Sequence, residues 1–146
     1  MTVKSVKFVE SSKAAASRGL AEVLRSMAEQ VDMEIATEAS AAIVVFKSPS
    51  MTDVDGIAAA ATKIKEFVRT NRPRTVIFDF GAVRFFSSQV LGLLLDVRQT
   101  LEPCGGQAVV SGINPQLHRV FKITNLDKVF KFFANRRDAV KAANPD

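Results

Sequence analysis

Two adjacent serines in the segment RFFSSQVLGLLL, residues 84–95, are the side chains of this sequence best placed for a chemical modification. Ser87 and Ser88 follow two phenylalanines and precede an apolar run, a pattern typical of a helix start. A hydroxyl there can accept a hydrogen bond from a backbone N–H of the first turn, worth about 1 kcal/mol, or it can be phosphorylated. Either serine fits the capping role.

The helix behind the serines is more apolar than one buried stripe requires. Val90, Leu91 and the leucines at 93–95 cover a wide arc at about 100° per residue, which predicts packing on two sides or exposure to a partner. A phosphoserine would place about 1.5 to 2 negative charges beside this surface. The helix start stabilises such a charge by roughly 0.3 to 1 kcal/mol, whereas desolvating it unpaired in an apolar interface costs several kcal/mol. Phosphorylation here therefore favours release of a partner without unfolding.

No catalytic constellation stands out in the rest of the sequence. The single histidine, His118, has no sequence signature that ties it to Ser88 or Cys104, and one histidine with one cysteine cannot form a Cys/His zinc set. Asp53 and Asp55 lie at a predicted helix start, where carboxylates usually complement the helix dipole. We expect a protein that is not an enzyme and has no metal or cofactor.

The composition bounds the class of protein. A chain of 146 residues, 47% hydrophobic and 24% charged, is typical of one soluble domain with a core. The net charge is +5, but acidic residues are interleaved and no nucleic-acid motif is present, so direct nucleic-acid binding is not expected. Without an apolar run of about 20 residues or a secretory signal, the sequence predicts a cytoplasmic protein with no membrane insertion.

Alternating strand and helix patterns predict an α/β fold with a partly parallel sheet. TVIFDF is nearly all apolar, as in a strand buried on both faces. Thr52 or Asp53 and, later, Asn114 before Pro115 are placed to cap helices. Strands are predicted at residues 33–39, 41–48, 75–80, 106–113 and 128–133, and helices at about 10–31, 53–70, 114–123 and 135–144. A further helix is predicted to follow the two serines and to end at EPCGG.

From about Met33 to Ala143 the chain resembles the STAS domain, in particular the stand-alone anti-sigma factor antagonists of bacterial partner switching. Their local pattern is an apolar strand ending in Asp-Leu-Ser, a short turn, and Phe-x-Asp-Ser-Ser-Gly-Leu-Gly at a helix start. In VIFDFGAVRFFSSQVLGLLL, two separate anchors, Leu91–Gly92 and Asp79, both align Ser88 with the family's phosphorylated serine. The segment GGQAVVSGINPQLHRVFKITNLDKVFKFF is similar to the strand, Pro-containing helix start and last strand that follow in the family.

The resemblance implies a STAS-like mixed, partly parallel sheet of about five strands with packed helices, preceded by an extra N-terminal helix. The expected division is a mostly helical extension over residues 1–32 and a STAS domain over residues 33–146. The implied function is a regulatory module that binds an anti-sigma factor kinase of ATPase fold and is released when Ser88, rather than Ser87, is phosphorylated. The implied partner-binding residues are Asp53, Ser87, Ser88, Gln89, Val90 and Leu91, with Asp79 near the phosphorylation site.

Three positions of the motif differ from the family pattern. Ser87 stands in place of the aspartate, Gln89 in place of the second serine and Val90 in place of the glycine. The aspartate could help to position Mg²⁺ or the serine during phosphoryl transfer. Two alternatives therefore stay open: an accessory subunit that binds the ATPase of an ABC-type lipid transporter, and a scaffold independent of phosphorylation. A homodimer and direct nucleotide binding are also left open.

Overall fold

A mixed six-stranded β-sheet lies at the centre of a computed structural model of the protein, which describes residues 31–144 and the backbone of residues 3–7. The strands are β1 (Val3–Lys7), β2 (Met33–Glu38), β3 (Ala41–Phe46), β4 (Ser50–Met51), β5 (Thr75–Asp79), β6 (Phe85–Phe86), β7 (Gln107–Ser111) and β8 (Lys131–Phe133). The helices are α1 (Val54–Asn71), α2 (Ser88–Leu101), α3 (Pro115–Ile123) and α4 (Arg136–Ala143), and 3₁₀ turns occupy Glu102–Cys104 and Leu126–Lys128.

The strand order in the main sheet is β1-β2-β3-β5-β7-β8, and β4 pairs only with β6. Strands β1, β2 and β3 are antiparallel neighbours, whereas β3, β5, β7 and β8 are parallel neighbours. The four parallel strands all begin at one end of the sheet, which we call the amino end, and all finish at the other, the carboxyl end. Each of α1, α2 and α3 connects two of these strands, so each begins at the carboxyl end and ends at the amino end.

Strand β5 is the central strand, as TVIFDF predicted. All five of its residues are buried, which requires cover on both faces of the sheet. On one face, α1, α2 and α3 pack over a core in which Phe46, Phe78 and Phe80 are fully buried. The other face is covered by α4, whose Ala139 packs on a smaller cluster that includes Ile77.

Two helix starts confirm the predicted caps. A carboxylate oxygen of Asp53 accepts a 2.7 Å hydrogen bond from the Gly56 N–H at the start of α1. The Asn114 side chain accepts from the Leu117 N–H at 2.9 Å, and Pro115 is the first residue of α3. In both cases the cap residue has extended backbone, which aims its side chain at the free N–H groups of the first turn. Local chemistry thus sets where these helices begin.

The predicted elements from residue 33 onward are all present, and the structure adds a strand before them that was not predicted. Residues 3–7 form β1, paired antiparallel with β2, so the sheet has six strands rather than about five. The sequence VKSVK has no strict apolar alternation, and its strand depends on backbone pairing with residues about 30 positions away, which local patterns do not show. The helix predicted from Glu10 lies outside the described residues, except that its last residue, Val31, is not helical. The short β4–β6 pair was also not predicted.

The two neighbouring phenylalanines of β6 provide a test of this core. Phe86 is 5% exposed and packs edge-on against the rings of Phe80 and Phe121, whereas Phe85 is 58% exposed. We expect Phe86→Ala to lower the free energy of unfolding by about 3 to 5 kcal/mol and Phe85→Ala to change it by less than about 0.5 kcal/mol. Urea unfolding followed by circular dichroism measures both. Equal losses in the two variants would contradict the placement of β6.

Candidate functional site

The two serines lie where β6 passes into α2, next to the chain that leads into α1. Strand β6 pairs in parallel with β4, and the pairing continues because the Ser87 N–H donates to the Met51 carbonyl oxygen at 3.0 Å. Asp53, the cap of α1, follows Met51 by two residues. The structure therefore brings the starts of α1 and α2 together at the carboxyl end of the sheet.

The two serines differ in burial. Ser87 is the N-cap residue of α2, with φ −87° and ψ 168°, yet its hydroxyl oxygen is buried and forms no hydrogen bond. Ser88 is the first residue of α2 and is exposed. The prediction that one of the hydroxyls caps α2 is wrong, because neither side chain bonds to a free N–H of the first turn. Only the Ser88 hydroxyl lies where another protein can reach it.

Exposed side chains around Ser88 form a small mixed surface. Gln89 and Asp53 are exposed, as a partner-binding role requires. Val54 and Phe85 are 55% and 58% exposed, and the sequence analysis did not single them out. No local signal separates Phe85 from the neighbouring Phe86, which is the same residue type and is buried. We refer to Asp53, Val54, Phe85, Ser88 and Gln89 as the Ser88 surface.

The apolar run of α2 is explained by packing on two sides. Val90, Leu93, Leu94 and Val97 are all buried, at 0 to 3% exposure, because α2 packs against both the sheet and the neighbouring helix α1. Of the run, Leu95 is the exposed member, at 38%. The side chains of Val90 and Leu91 are buried in the core and therefore do not form part of the Ser88 surface, although both were predicted to bind a partner.

The Asp79 side chain is bonded to α4, which covers the face of the sheet opposite α1, α2 and α3. One carboxylate oxygen accepts from the Gly81 N–H at 2.8 Å, and the other accepts from Nε of Arg136, in α4, at 2.7 Å. Its side chain is 10% exposed and that of Arg136 is 50% exposed. Because both oxygens are engaged with the turn after β5 and with α4, the structure gives Asp79 a role in fixing the end of β5.

The remaining chemically reactive side chains do not converge. His118 packs its ring against Phe132, with centroids 4.4 Å apart, and Cys104 is exposed in the turn after α2. Within residues 31–144, no group of three or more His, Cys, Asp or Glu side chains is arranged to hold a metal ion.

Of the helices in the described part of the chain, none is long and apolar enough to cross a membrane.

Comparison with known proteins identifies the family to which this fold belongs. The family profile of the STAS domain matches residues 32–139, and the chain belongs to this family. That assignment confirms the mixed α/β fold predicted from the sequence.

Solved structures of other STAS proteins superpose on this fold. The anti-sigma factor antagonist SpoIIAA in its unphosphorylated form gives a TM-score of 0.70 at 17% identity, over 78% of this chain and 97% of that one. An anti-sigma factor antagonist from Mycobacterium paratuberculosis gives 0.68 at 23% identity, over 79% and 95%. The murine anion transporter Slc26a9 gives 0.62 at 19% identity, over 73% of this chain and 18% of that one. At these identities the likeness concerns the fold.

The contrast between a buried, unbonded Ser87 and a true cap gives a testable consequence. We expect Ser87→Ala to change the free energy of unfolding by less than about 0.5 kcal/mol, because no hydrogen bond is lost. The matched control Asn114→Ala removes an observed cap and is expected to cost about 1 kcal/mol. Chemical denaturation measures both values. A loss of about 1 kcal/mol for Ser87→Ala would mean that its hydroxyl does cap α2.

Proposed function

We propose that this protein is an anti-sigma factor antagonist, a non-catalytic module that binds an anti-sigma factor kinase of ATPase fold through the Ser88 surface. Phosphorylation of Ser88 releases it. The observation that carries the proposal is the exposed Ser88 hydroxyl at the start of α2, on a surface that also exposes Phe85 and Val54. The cytoplasm is the compartment in which such a partner would be met.

The composition of the Ser88 surface suits a reversible protein contact. A half-exposed aromatic such as Phe85 supplies a large contact area, and aromatic side chains are frequent anchors of protein interfaces. Val54 extends the apolar part, while Asp53, Ser88 and Gln89 supply polar groups. The surface is fixed to the ends of two helices by the hydrogen bond from Ser87 to Met51, so little ordering is needed on binding.

A phosphoryl group on Ser88 would act on the complex more than on the fold. Ser88 is exposed at a helix start, so about 1.5 to 2 added negative charges face solvent and the positive end of the helix dipole in the free protein. In the complex the same charge would be pressed against Phe85, Val54 and the partner, where desolvation costs several kcal/mol. Each 1.4 kcal/mol of that cost is a tenfold loss of affinity.

Three further observations support the proposal. Asp79 and Leu91–Gly92, the two anchors that align Ser88 with the family's phosphorylated serine, are both in the expected elements, at the end of β5 and in α2. SpoIIAA, whose fold this chain shares, has been solved in both unphosphorylated and phosphorylated forms. The buried Ser87 hydroxyl leaves Ser88 as the accessible acceptor of the pair.

A second candidate is an accessory subunit that binds the ATPase of an ABC-type lipid transporter without being phosphorylated. It is favoured by the absence of the motif aspartate, since Ser87 in its place carries a buried hydroxyl and supplies no charge beside Ser88. A scaffold independent of phosphorylation would share this feature. Affinity capture from native lysate discriminates between the candidates, because the first predicts an anti-sigma factor kinase and the second an ABC ATPase.

The sharpest test compares charge at Ser88 with the same charge farther along α2. We expect Ser88→Asp to weaken binding to the captured kinase by at least about 30-fold, because a carboxylate must be desolvated in the interface. The matched control Gln99→Asp adds a charge on an exposed position of the same helix and should change the dissociation constant by less than about twofold. Isothermal titration calorimetry with purified partner measures both.

The same preparation tests phosphorylation directly. Incubation with the kinase and Mg-ATP is expected to add one phosphoryl group, located at Ser88 by peptide mass spectrometry and absent in Ser88→Ala. Undiminished binding by Ser88→Asp would contradict the switch, and tight binding without any phosphoryl transfer would favour the second candidate.

A further inference from the structure

Six cationic side chains are gathered at the amino end of the sheet, opposite the Ser88 surface. They come from the end of α1 and the loop to β5, from the end of α3, and from the turn and first residue of β8. Arg74 lies at this end because its N–H donates to the Ser40 carbonyl and its own carbonyl accepts from the Gln107 N–H, at the start of β7. We call the group the basic end: Arg69, Arg72, Arg74, Lys122, Lys128 and Lys131.

The charge of the basic end is not neutralised within the described residues. All six side chains are exposed, and none forms an ion pair with another residue of the described part of the chain. Of the acids near this end, Glu102 already pairs with Arg98 at 3.3 Å, and Asp127 is partly buried. By contrast, Arg136 at the carboxyl end is paired with Asp79.

Stabilisation by helix dipoles explains the position of only some of these cations. Arg69 and Lys122 lie in the last turns of α1 and α3, where a cation is stabilised by the helix end. Arg72, Arg74, Lys128 and Lys131 lie outside the α-helices. Within the described residues, no contact of these four side chains gives them a role in the fold.

Two apolar side chains protrude among the lysines. Ile123, the last residue of α3, is 74% exposed, and Val129, which follows the 3₁₀ turn, is 37% exposed. The chain between them turns tightly, with Asn125 at φ 62°. Ile123 therefore projects from a compact turn with Lys122 beside it in sequence and Lys128 in the turn that follows.

We propose that the basic end binds the surface of an anionic lipid membrane. Its cations are spread over two helix ends and the starts of β5 and β8, which lie two strand spacings apart, about 10 Å. A layer of lipid headgroups can contact such a broad surface with no complementary groove, and each cation near it strengthens binding roughly fivefold. Ile123 enters the boundary between headgroups and acyl chains. A nucleic-acid backbone offers no such apolar layer.

This proposal goes beyond the proposed function and is compatible with it. The Ser88 surface and the basic end lie at opposite ends of the same strands, so a protein bound to lipid still presents Ser88 to a partner. The association is peripheral, since no described helix can span a bilayer.

Co-sedimentation with lipid vesicles tests the proposal. The full chain is expected to bind vesicles of phosphatidylcholine mixed with phosphatidylglycerol and not to bind vesicles of phosphatidylcholine alone. High salt should release the bound protein. Lys122→Glu with Lys128→Glu should weaken binding by at least about 25-fold, roughly fivefold for each lost cation. Ile123→Ser should weaken it about tenfold while leaving the salt dependence in place.

The matched control is Arg84→Glu with Arg137→Glu, which changes the net charge equally but at the carboxyl end. It should alter vesicle binding by less than about twofold. Equal losses in the two double variants, or no preference for the anionic vesicles, would overturn the proposal. So would binding to duplex DNA that is as tight at the same salt and unaffected by Ile123→Ser. Unfolding midpoints equal to the parent's establish that the variants are folded.

Discussion

The parallel pairing of β5 with β3 on one side and β7 on the other is the constraint on which the rest of the structure depends. It fixes the direction of the chain, because each connection between parallel neighbours must return from the carboxyl end to the amino end. The helices α1, α2 and α3 therefore all begin at one end of the molecule. Since β5 is buried throughout, its register is strongly specified, and a change in that register would displace the start of α2, which follows it in the chain.

That constraint gives the two ends of the protein different chemistry. At the carboxyl end, helix starts present N–H groups that suit a negative charge on Ser88, and the β4–β6 pair holds Phe85 and Val54 beside it. At the amino end, helix ends and loops carry exposed arginines and lysines around Ile123. A reversible protein contact and an association with lipid could therefore operate on one small domain without competing for surface.

Local sequence chemistry was sufficient to predict much of this fold. Asp53 and Asn114 cap helices as expected, because a cap needs only the residues of its own first turn. TVIFDF could be assigned to the centre of the sheet because its apolar run needs cover on both faces. The position of Ser88 at a helix start followed from the apolar run behind it and from the family register.

The features that escaped prediction depend on contacts between distant residues. Strand β1 forms only against β2, and the bond between Asp79 and Arg136 joins residues 57 positions apart. Ser87 and Ser88 are indistinguishable by type, and their opposite exposure results from the pairing of β6 with β4. The same pairing leaves Phe85 exposed and buries Phe86. Which members of a short motif face outward is thus decided by a neighbouring strand that the motif does not contain.

Hydrogen exchange of the protein with and without the partner captured from lysate tests the central claim most directly, that a protein partner binds at the carboxyl end around Ser88. We expect slower amide exchange in peptides that cover residues 50–56 and 84–92, and unchanged exchange in the peptide that covers residues 119–131. Protection confined to residues 119–131, or to α4, with no effect around Ser88, would contradict it.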